Sequence, residues 1–532
     1  MNNRKKILNR KKNMKMLKKY IYKTQLSNPL LLIYAIISLF IVIGRYQLYI
    51  AYSLCVIVSI LFYLLSILSG KRFFSFIAFT ILIFGVSILI NIHLKNIRYQ
   101  DFKKNNLFSE KFLCKSVGFS TGSDGKYNTE VLILAIKKSS KSDYKKLSFP
   151  FKVLVKTKAP LVNYSNYIVN GKISIPKDRS YRNHLLNKNI YGVIYRPKVS
   201  NTLYGCNTIF STPSHLINSF RLLLYNYIEE HFSVRSAGFI ISILLGDRSQ
   251  LDKSDFNNFR ETGLAHILAI SGLHFGFLSS IICSFFSIFF SKKISLFIST
   301  IVMTLYFTLL VPSASCLRAL LALIVNLIFR IIGVKISSLS VLIICGLTML
   351  AINPFYLFDI SYQFSYIAVF SIILLGNYRE NIKAYDNFDQ KFGLQKIWQK
   401  FIEKVSGACT TSVAASTGMI PLQLSIFGTL QPLSIINSII FVPLFEIVFI
   451  QIICTIFITM ILRGLDICRI PLGLLDTSIG VFLIMVDKMN LFKPLVYDKL
   501  NIIFVFFSLI LSDFIISLFN YLLHNKKNKI GV

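Results

Sequence analysis

Charged residues are scarce in this chain of 532 residues, at 15% of the sequence, whereas 54% of the residues are hydrophobic. A typical soluble domain contains about 25% charged residues, so this composition argues against a soluble protein. The apolar residues come in runs of about eighteen or more, which is long enough to cross the ~30 Å hydrocarbon core of a bilayer. The sequence therefore predicts a polytopic α-helical membrane protein.

Acidic residues are also few, 23 Asp and Glu against 59 Lys and Arg, which gives a formal net charge of +36. The chain has no Walker A loop, so we expect no ATP-driven motor of that kind within it. It has no HExxH or HxHxDH pattern, so we expect no zinc centre of these kinds. No cofactor or metal is expected, no catalytic residue is assigned, and the chain is not expected to be an enzyme.

Positive charge predicts the topology. Residues 1–28 hold ten Lys and Arg and no acid, which indicates a cytoplasmic amino terminus under the positive-inside rule. With that orientation, each loop that falls inside carries Lys or Arg, as does the predicted cytoplasmic tail 524–532. About twelve spans satisfy this pattern: 29–47, 48–69 and 73–94 within the first unit 29–94, and 264–290, 294–311, 314–333, 336–352, 360–376, 407–427, 433–461, 470–487 and 501–523 within a second unit 259–523.

Two of these spans are irregular. The span 264–290 is overlong and interrupted by glycine, and the span 433–461 contains Pro443 and Glu446. Either could be a broken or re-entrant pair of helices.

Residues 95–210 differ from the rest and predict an extracytoplasmic β-domain. Short alternating or β-branched runs separated by polar turns predict strands at 112–118, 130–137, 151–157, 166–175 and 190–197. Five strands in about a hundred residues suit a small β-barrel, of which the OB-fold is one kind; other small β-folds fit the same pattern.

The β-domain is basic, with 22 Lys and Arg against six Asp and Glu, a net charge of +16. Cations that follow phosphates and aromatic rings that stack on bases are the elements of sequence-tolerant single-strand binding. The alternative is that a lysine-rich chain is basic everywhere, since charge alone identifies no partner. The candidates for contact with DNA are Lys152, Lys156, Lys158, Tyr167, Arg179, Tyr181 and Arg182.

Two cysteines, Cys114 and Cys206, bracket these strands. A disulfide between them would close a loop of roughly ninety residues and stabilise the domain by about 4 kcal/mol. Two free thiols are the alternative. The following stretch, 211–258, mixes apolar and charged residues and predicts interfacial amphipathic helices that contact membrane lipid.

The segment 259–278, FRETGLAHILAISGLHFGFL, carries glycines, histidines and a serine into an apolar stretch. Such residues in a membrane helix indicate close packing, a break, or the lining of a polar path. On one helix the two histidines would lie about 80° apart and could face one cavity. The glycines are candidates for helix packing and the others for channel lining: Gly263, Gly272 and Gly276, and His266, Ser271 and His274.

Further polar residues lie in later spans. An arginine at membrane depth is costly unless it faces water, an acid or an anion, so Arg318 is a functional candidate; snorkelling to the membrane surface is the alternative. Asn326 extends the same stripe, and Gln363 and Gln423 lie in spans with Pro or Asn nearby, as in a water-lined pathway. Ordinary hydrogen bonding between helices accounts for any one of them equally well.

Five sequence blocks resemble the ComEC family in order and content: YRNHLLNKNIYGVIY, LLGDRSQLDKSDFNNFRETGLAHILAISGLHFGFL, PSASCLRALL, NPFYLFDISYQFSYIAVF, and TGMIPLQL with NSIIFVPL. The resemblance implies an external OB-like domain after the first spans and a channel in the inner membrane that passes one DNA strand into the cytoplasm during natural transformation. It also implies a DNA receptor and a cytoplasmic motor or strand-binding protein as partners.

One departure from the family pattern affects the expected chemistry. Many members carry a carboxy-terminal metallo-β-lactamase-like domain, which this sequence lacks, so a separate nuclease is expected. Two other functions remain open. An intramembrane hydrolase would use Ser271 with His274, although both would share one helix and no GxSxG motif is present. A small-anion secondary transporter would predict internal repeats, and none is evident.

Overall fold

The protein is described by a computed structural model, which covers residues 29–46, 48–69, 72–104, 111–116, 121–123, 126–137, 145–157, 166–178, 181–182, 185–186, 188–201, 212–268, 270, 272–311, 313–386, 411–426, 428–431, 433–462, 469–489 and 495–496. The basic segment 1–28, the last predicted span 501–523 and the tail 524–532 lie outside these residues.

Helices dominate the described residues. In chain order they are α1 (Pro29–Tyr46), α2 (Leu48–Ser69), α3 (Arg72–Lys104), α4 (Thr212–His231), α5 (Val234–Leu245), α6 (Lys253–Glu261), α7 (Gly272–Phe286), α8 (Lys292–Leu309), α9 (Ala314–Ile332), α10 (Ser338–Ile352), α11 (Ile360–Asp386), α12 (411–426), α13 (Ser434–Ile461) and α14 (Arg469–Lys488).

Within the described residues, five helical stretches are long and apolar enough to cross a membrane. They are Thr80–Gln100 in α3, Lys292–Leu309, Ala314–Ile332, Ser434–Met460 and Arg469–Lys488. Large hydrophobic side chains on these and neighbouring helices face outward, among them Leu61, Ile67 and Leu305. The prediction of a membrane protein is confirmed, and the number of twelve spans stays a prediction.

The two irregular spans differ in outcome. The first is broken, because residues 262–268 form turns and α7 begins only at Gly272. Gly263 in these turns has φ 77°, a left-handed conformation that glycine adopts without steric cost. The second is one continuous helix, α13, with Pro443 inside it.

The β-domain is a mixed sheet. Its strands are β1 (Lys111–Ser116), β2 (Thr121–Ser123), β3 (Lys126–Lys137), β4 (Lys145–Thr157), β5 (Asn166–Asn170), β6 (Ile173–Ser174), β7 (Ile190–Tyr195) and β8 (Lys198–Asn201). They pair in the order β6-β7-β4-β3-β1-β5-β8, with β2 paired to β3. The pair β4–β7 is parallel and the others are antiparallel. All five predicted strands are present, and in the described residues no ladder joins the two ends of the sheet.

Helix α3 links the membrane region to the β-domain. Its 33 residues extend past the apolar stretch, and Phe102 near its end is buried in the core of the sheet. The Phe102 ring lies 5.4 Å from Phe151 and 5.7 Å from Tyr191, measured between ring centroids. Lower on the same helix, Lys95 lies over the ring of Phe355, 3.7 Å from its centroid. One continuous helix therefore contacts both parts.

The predicted interfacial segment contains two different helices. The α4 helix exposes Leu216, Phe220 and Leu223, as an interfacial helix does. The prediction is wrong for α5, whose residues 236–245 are all buried in the core formed with α13 and α14. The run SAGFIISILL is apolar apart from Ser236 and Ser242, which are small enough to be buried, so it fits a core helix rather than a surface one.

Candidate functional site

Arg318 lies on the second turn of α9 and is 8% exposed. The helix begins at Ser313, whose hydroxyl accepts a hydrogen bond of 3.2 Å from the backbone N–H of Cys316. The Arg318 Nε–H donates to the Ser365 hydroxyl of α11 over 2.7 Å, and that hydroxyl donates to Ser315 over 3.2 Å. Within the described part of the chain, the two terminal nitrogens of the guanidinium have no hydrogen-bond partner and no carboxylate forms an ion pair with it.

The start of α7 lies against this guanidinium. A methyl group placed at Gly272 would collide with Nη2 of Arg318, so the absence of a side chain at Gly272 permits the close approach of α7 and α9. Gly263 is equally confined, since a Cβ there would lie 2.5 Å from the Cβ of Ser434. Gly276 is the exception among the three predicted packing glycines, because a Cβ there would meet no described atom within 4 Å.

A cavity of about 190 Å³ lies between α9, α10 and α11, with Arg318 in its wall. Its other polar lining residues are Asn326, Ser338 and Cys345, and no acidic residue is among the described residues that line it. The eight residues from Arg318 to Asn326 correspond to about 12 Å along the helix. The cavity thus extends along α9 towards the loop that precedes α10, and both Arg318 and Asn326 line it. That they line a channel stays a prediction.

The two histidines are not on one helix, which corrects the expectation that they lie 80° apart on a common axis. His266 lies in the turns before α7, exposed, with Nδ1 3.2 Å from the carbonyl oxygen of Gly263. His274 is buried on α7, with ring centroids 4.9 Å from Phe445 and 5.2 Å from Phe449 of α13. Ser271, the remaining candidate of this segment, lies outside the described residues.

The two glutamines are not among the residues that line the Arg318 cavity. Gln363 donates through Nε2 to the carbonyl of Leu357 over 2.9 Å, which ties the first turn of α11 to the preceding short 3-10 helix. Gln423 is half-buried on α12. That helix packs closely on α11, because a Cβ at Gly418 would collide with Ser371.

A cluster of tyrosines beside the cavity was missed in the sequence. The hydroxyls of Tyr34 and Tyr362 lie 2.9 Å apart, and the rings of Tyr362 and Tyr366 stack with centroids 4.2 Å apart. The spacing of Tyr362 and Tyr366 places them on one face of α11. The contribution of Tyr34 from α1 is visible only in three dimensions, and it joins the first helices to the second unit.

On the β-domain, Lys156 lies between two aromatic rings. Its Nζ is 5.3 Å from the centroid of Tyr195 and 5.8 Å from that of Tyr181. Lys156 and Tyr195 are register partners across the parallel β4–β7 pair, and Tyr195 is half exposed. Burial raises the pKa of Tyr181, so its hydroxyl remains protonated and the group stays neutral.

The other predicted DNA contacts are placed differently. Lys152 forms an ion pair with Glu130 on the neighbouring strand. Tyr167 is buried in the sheet core, which favours a packing role. Arg182 is half-buried near Tyr181, and Lys158 and Arg179 lie outside the described residues.

The predicted disulfide gains no support. Cys114 is a free thiol, fully buried, and burial raises its pKa above the ordinary range of thiols. Its expected partner, Cys206, lies outside the described residues.

Comparison with known proteins identifies the second unit. The model of a family described as competence protein matches residues 243–522, which is more than half of the chain. The ComE operon protein 3 of Bacillus subtilis (strain 168) is 25% identical over 150 residues, covering 28% of this chain and 19% of that protein. No solved structure matches the chain. The matched region contains α7 to α14 and the Arg318 cavity.

Proposed function

The chain belongs to the competence protein family, and from that membership we propose that it conducts a single strand of DNA across the cytoplasmic membrane during natural transformation. The observation that carries this proposal is the buried guanidinium of Arg318, which forms no ion pair within the described residues and lies in the wall of a cavity. A cation held in a membrane without a carboxylate is costly, and a passing phosphodiester supplies the missing negative charge.

The β-domain receives the strand outside the membrane in this proposal. Two features support an OB-like barrel. Strands β4 and β7 pair in parallel, and β5 and β6, which belong to opposite ends of the sheet, are separated by only Gly171 and Lys172 in the chain. A single bent strand spanning β5 and β6 would close the sheet on itself. The cluster of Lys156, Tyr181 and Tyr195 offers one cation and two rings to a phosphate and its base.

The direction of transport requires other proteins. The sequence contains no Walker A loop, so a cytoplasmic motor or a protein that binds the emerging strand supplies the driving force. A DNA receptor presents the duplex. Both termini lie in the cytoplasm. The chain itself positions and conducts DNA without covalent chemistry.

The test compares two arginines of α9. In a strain that lacks the gene, the Arg318→Gln variant should internalise labelled DNA at least tenfold more slowly than wild type, because the phosphates lose their cation. Arg330→Gln is the matched control, since Arg330 is exposed on the last turn of the same helix. Membrane abundance of each variant is measured in parallel. Normal uptake by correctly inserted Arg318→Gln would remove this cavity from the pathway.

A further inference from the structure

We infer that the Arg318 cavity is an oxyanion site that holds a phosphate group even when no DNA is present. Free inorganic phosphate fills the site at rest, and a phosphodiester of the strand replaces it during transport. The replacement of phosphate by DNA rests on the proposed function, whereas the binding of free inorganic phosphate does not.

The donors of the site are in place. The guanidinium is anchored at Nε by Ser365, which leaves the Nη1 and Nη2 groups free of hydrogen-bond partners in the described residues. Guanidinium N–H donors form strong, charge-assisted hydrogen bonds with phosphate oxygens. Nη2 packs against Gly272 at the start of α7, where a Cβ would collide with it, so Nη1 is the donor that remains for the cavity.

The far end of the cavity, about 12 Å from Arg318 along α9, also favours negative charge. Ser338, the first residue of the 15-residue helix α10, lines the cavity. The Ser337 hydroxyl already accepts from the backbone N–H of Ser340, and the partial positive charge of the rest of this first turn stabilises an anion. Asn326 donates one amide hydrogen to the carbonyl of Ala322 over 2.9 Å and retains a second. The described residues of the lining include no acid that would repel an anion.

The size of the cavity permits this occupant. Its volume of about 190 Å³ is far above the ~10–15 Å³ that one water requires. Water alone would leave the buried cation without a counter-charge, which is the costly arrangement in a low-dielectric interior. An oxyanion with its hydration waters fills the space and neutralises the charge.

The experiment measures binding of radiolabelled inorganic phosphate to the purified full chain in detergent. We expect saturable binding of one phosphate per chain, weakened at least tenfold in Arg318→Gln and partly retained in Arg318→Lys. Arg330→Gln should bind as wild type. A second variant, Ala322→Phe, fills the cavity without removing the cation and should also abolish binding. Absence of saturable binding by wild type, or equal binding by Arg318→Gln, would overturn the inference.

Competition separates the two sources of phosphate. If a single-stranded oligonucleotide displaces the labelled phosphate, the site takes both and lies on the DNA path. If phosphate binds through Arg318 but the oligonucleotide does not displace it, the phosphate site is supported, and the claim that a DNA phosphodiester replaces the phosphate is rejected. A third outcome separates the two proposals. If Arg318→Gln loses DNA uptake but the wild-type protein binds no phosphate, the proposed function is retained and the oxyanion site is rejected.

Discussion

Two lysines of strand β4 show how neighbouring side chains determine whether a lysine is available to bind phosphate. Lys152 and Lys156 lie four residues apart on the same strand, and both were predicted to contact DNA. The charge of Lys152 is already paired with Glu130, whereas Lys156 faces two tyrosine rings. A cation among aromatic rings remains available to a phosphate, so the DNA contact should depend on Lys156 and much less on Lys152.

We therefore expect Lys156→Gln to weaken binding of single-stranded DNA to the full chain in detergent and to lower the log–log salt slope by about 0.7, the value for one phosphate contact. Tyr195→Ala should cost about 1–3 kcal/mol by loss of base stacking, with less change of the slope. Lys152→Gln is the control and should leave the slope nearly unchanged. Fluorescence anisotropy over a salt series makes the comparison, and equal effects of the two lysines would contradict it.

Two glycines of the 259–278 segment give a second prediction. Gly263→Ala forces a side chain into a left-handed backbone conformation and against Ser434, which should destabilise the protein by about 2–4 kcal/mol. Gly276→Ala adds a methyl group in open space within a helix and should stabilise it by up to about 1 kcal/mol. Apparent melting temperatures in detergent measure both. A larger loss at Gly276 than at Gly263 would show that the segment is placed differently.

For the helices and strands, features that depend on local sequence were predictable, whereas features that depend on tertiary contacts were not. Alternation and turn residues located all five expected strands. Strand β8 was not predicted, because it has only four residues. The parallel pairing of β4 with β7 was not predicted either, because it leaves no local signal in the sequence. The helix predicted from 264 onward is wrong before Gly272. The amide side chain of Asn437 holds the carbonyl of Thr262 over 2.9 Å, a contact 175 residues apart in sequence that fixes the turns.

The helix α3 offers a test of how the β-domain is held. Phe102→Ala removes a buried ring from the sheet core and should destabilise the β-domain by about 3–5 kcal/mol. Limited proteolysis of the full chain should then cleave within 105–201 faster than in wild type, while the membrane helices remain intact. Ile97→Ala on the exposed side of the same helix is the control. Similar cleavage rates for both variants would mean that α3 does not support the domain.

For the whole molecule, composition and hydrophobic runs were sufficient to predict the membrane class, and the resemblance of five blocks predicted the family. The site was predictable only in part. Arg318 and Asn326 share one helix, so their common stripe follows from spacing. The partners of Arg318 come from α7 and α11, at Gly272 and Ser365, and no sequence pattern brings those positions together. Residue type thus identified the arginine, and only the fold identified its cavity.

The predicted orientation of the chain in the membrane can be tested directly. The positive loops predict that the β-domain lies outside and the α9–α10 loop inside, so Lys177 and Lys335, both exposed, should lie on opposite sides of the membrane. Each is changed to cysteine in a background without the nine native cysteines. A membrane-impermeant maleimide should label Lys177→Cys in intact cells and Lys335→Cys only after permeabilisation. The same background without an added cysteine is the control. Labelling of Lys335→Cys in intact cells would contradict this topology.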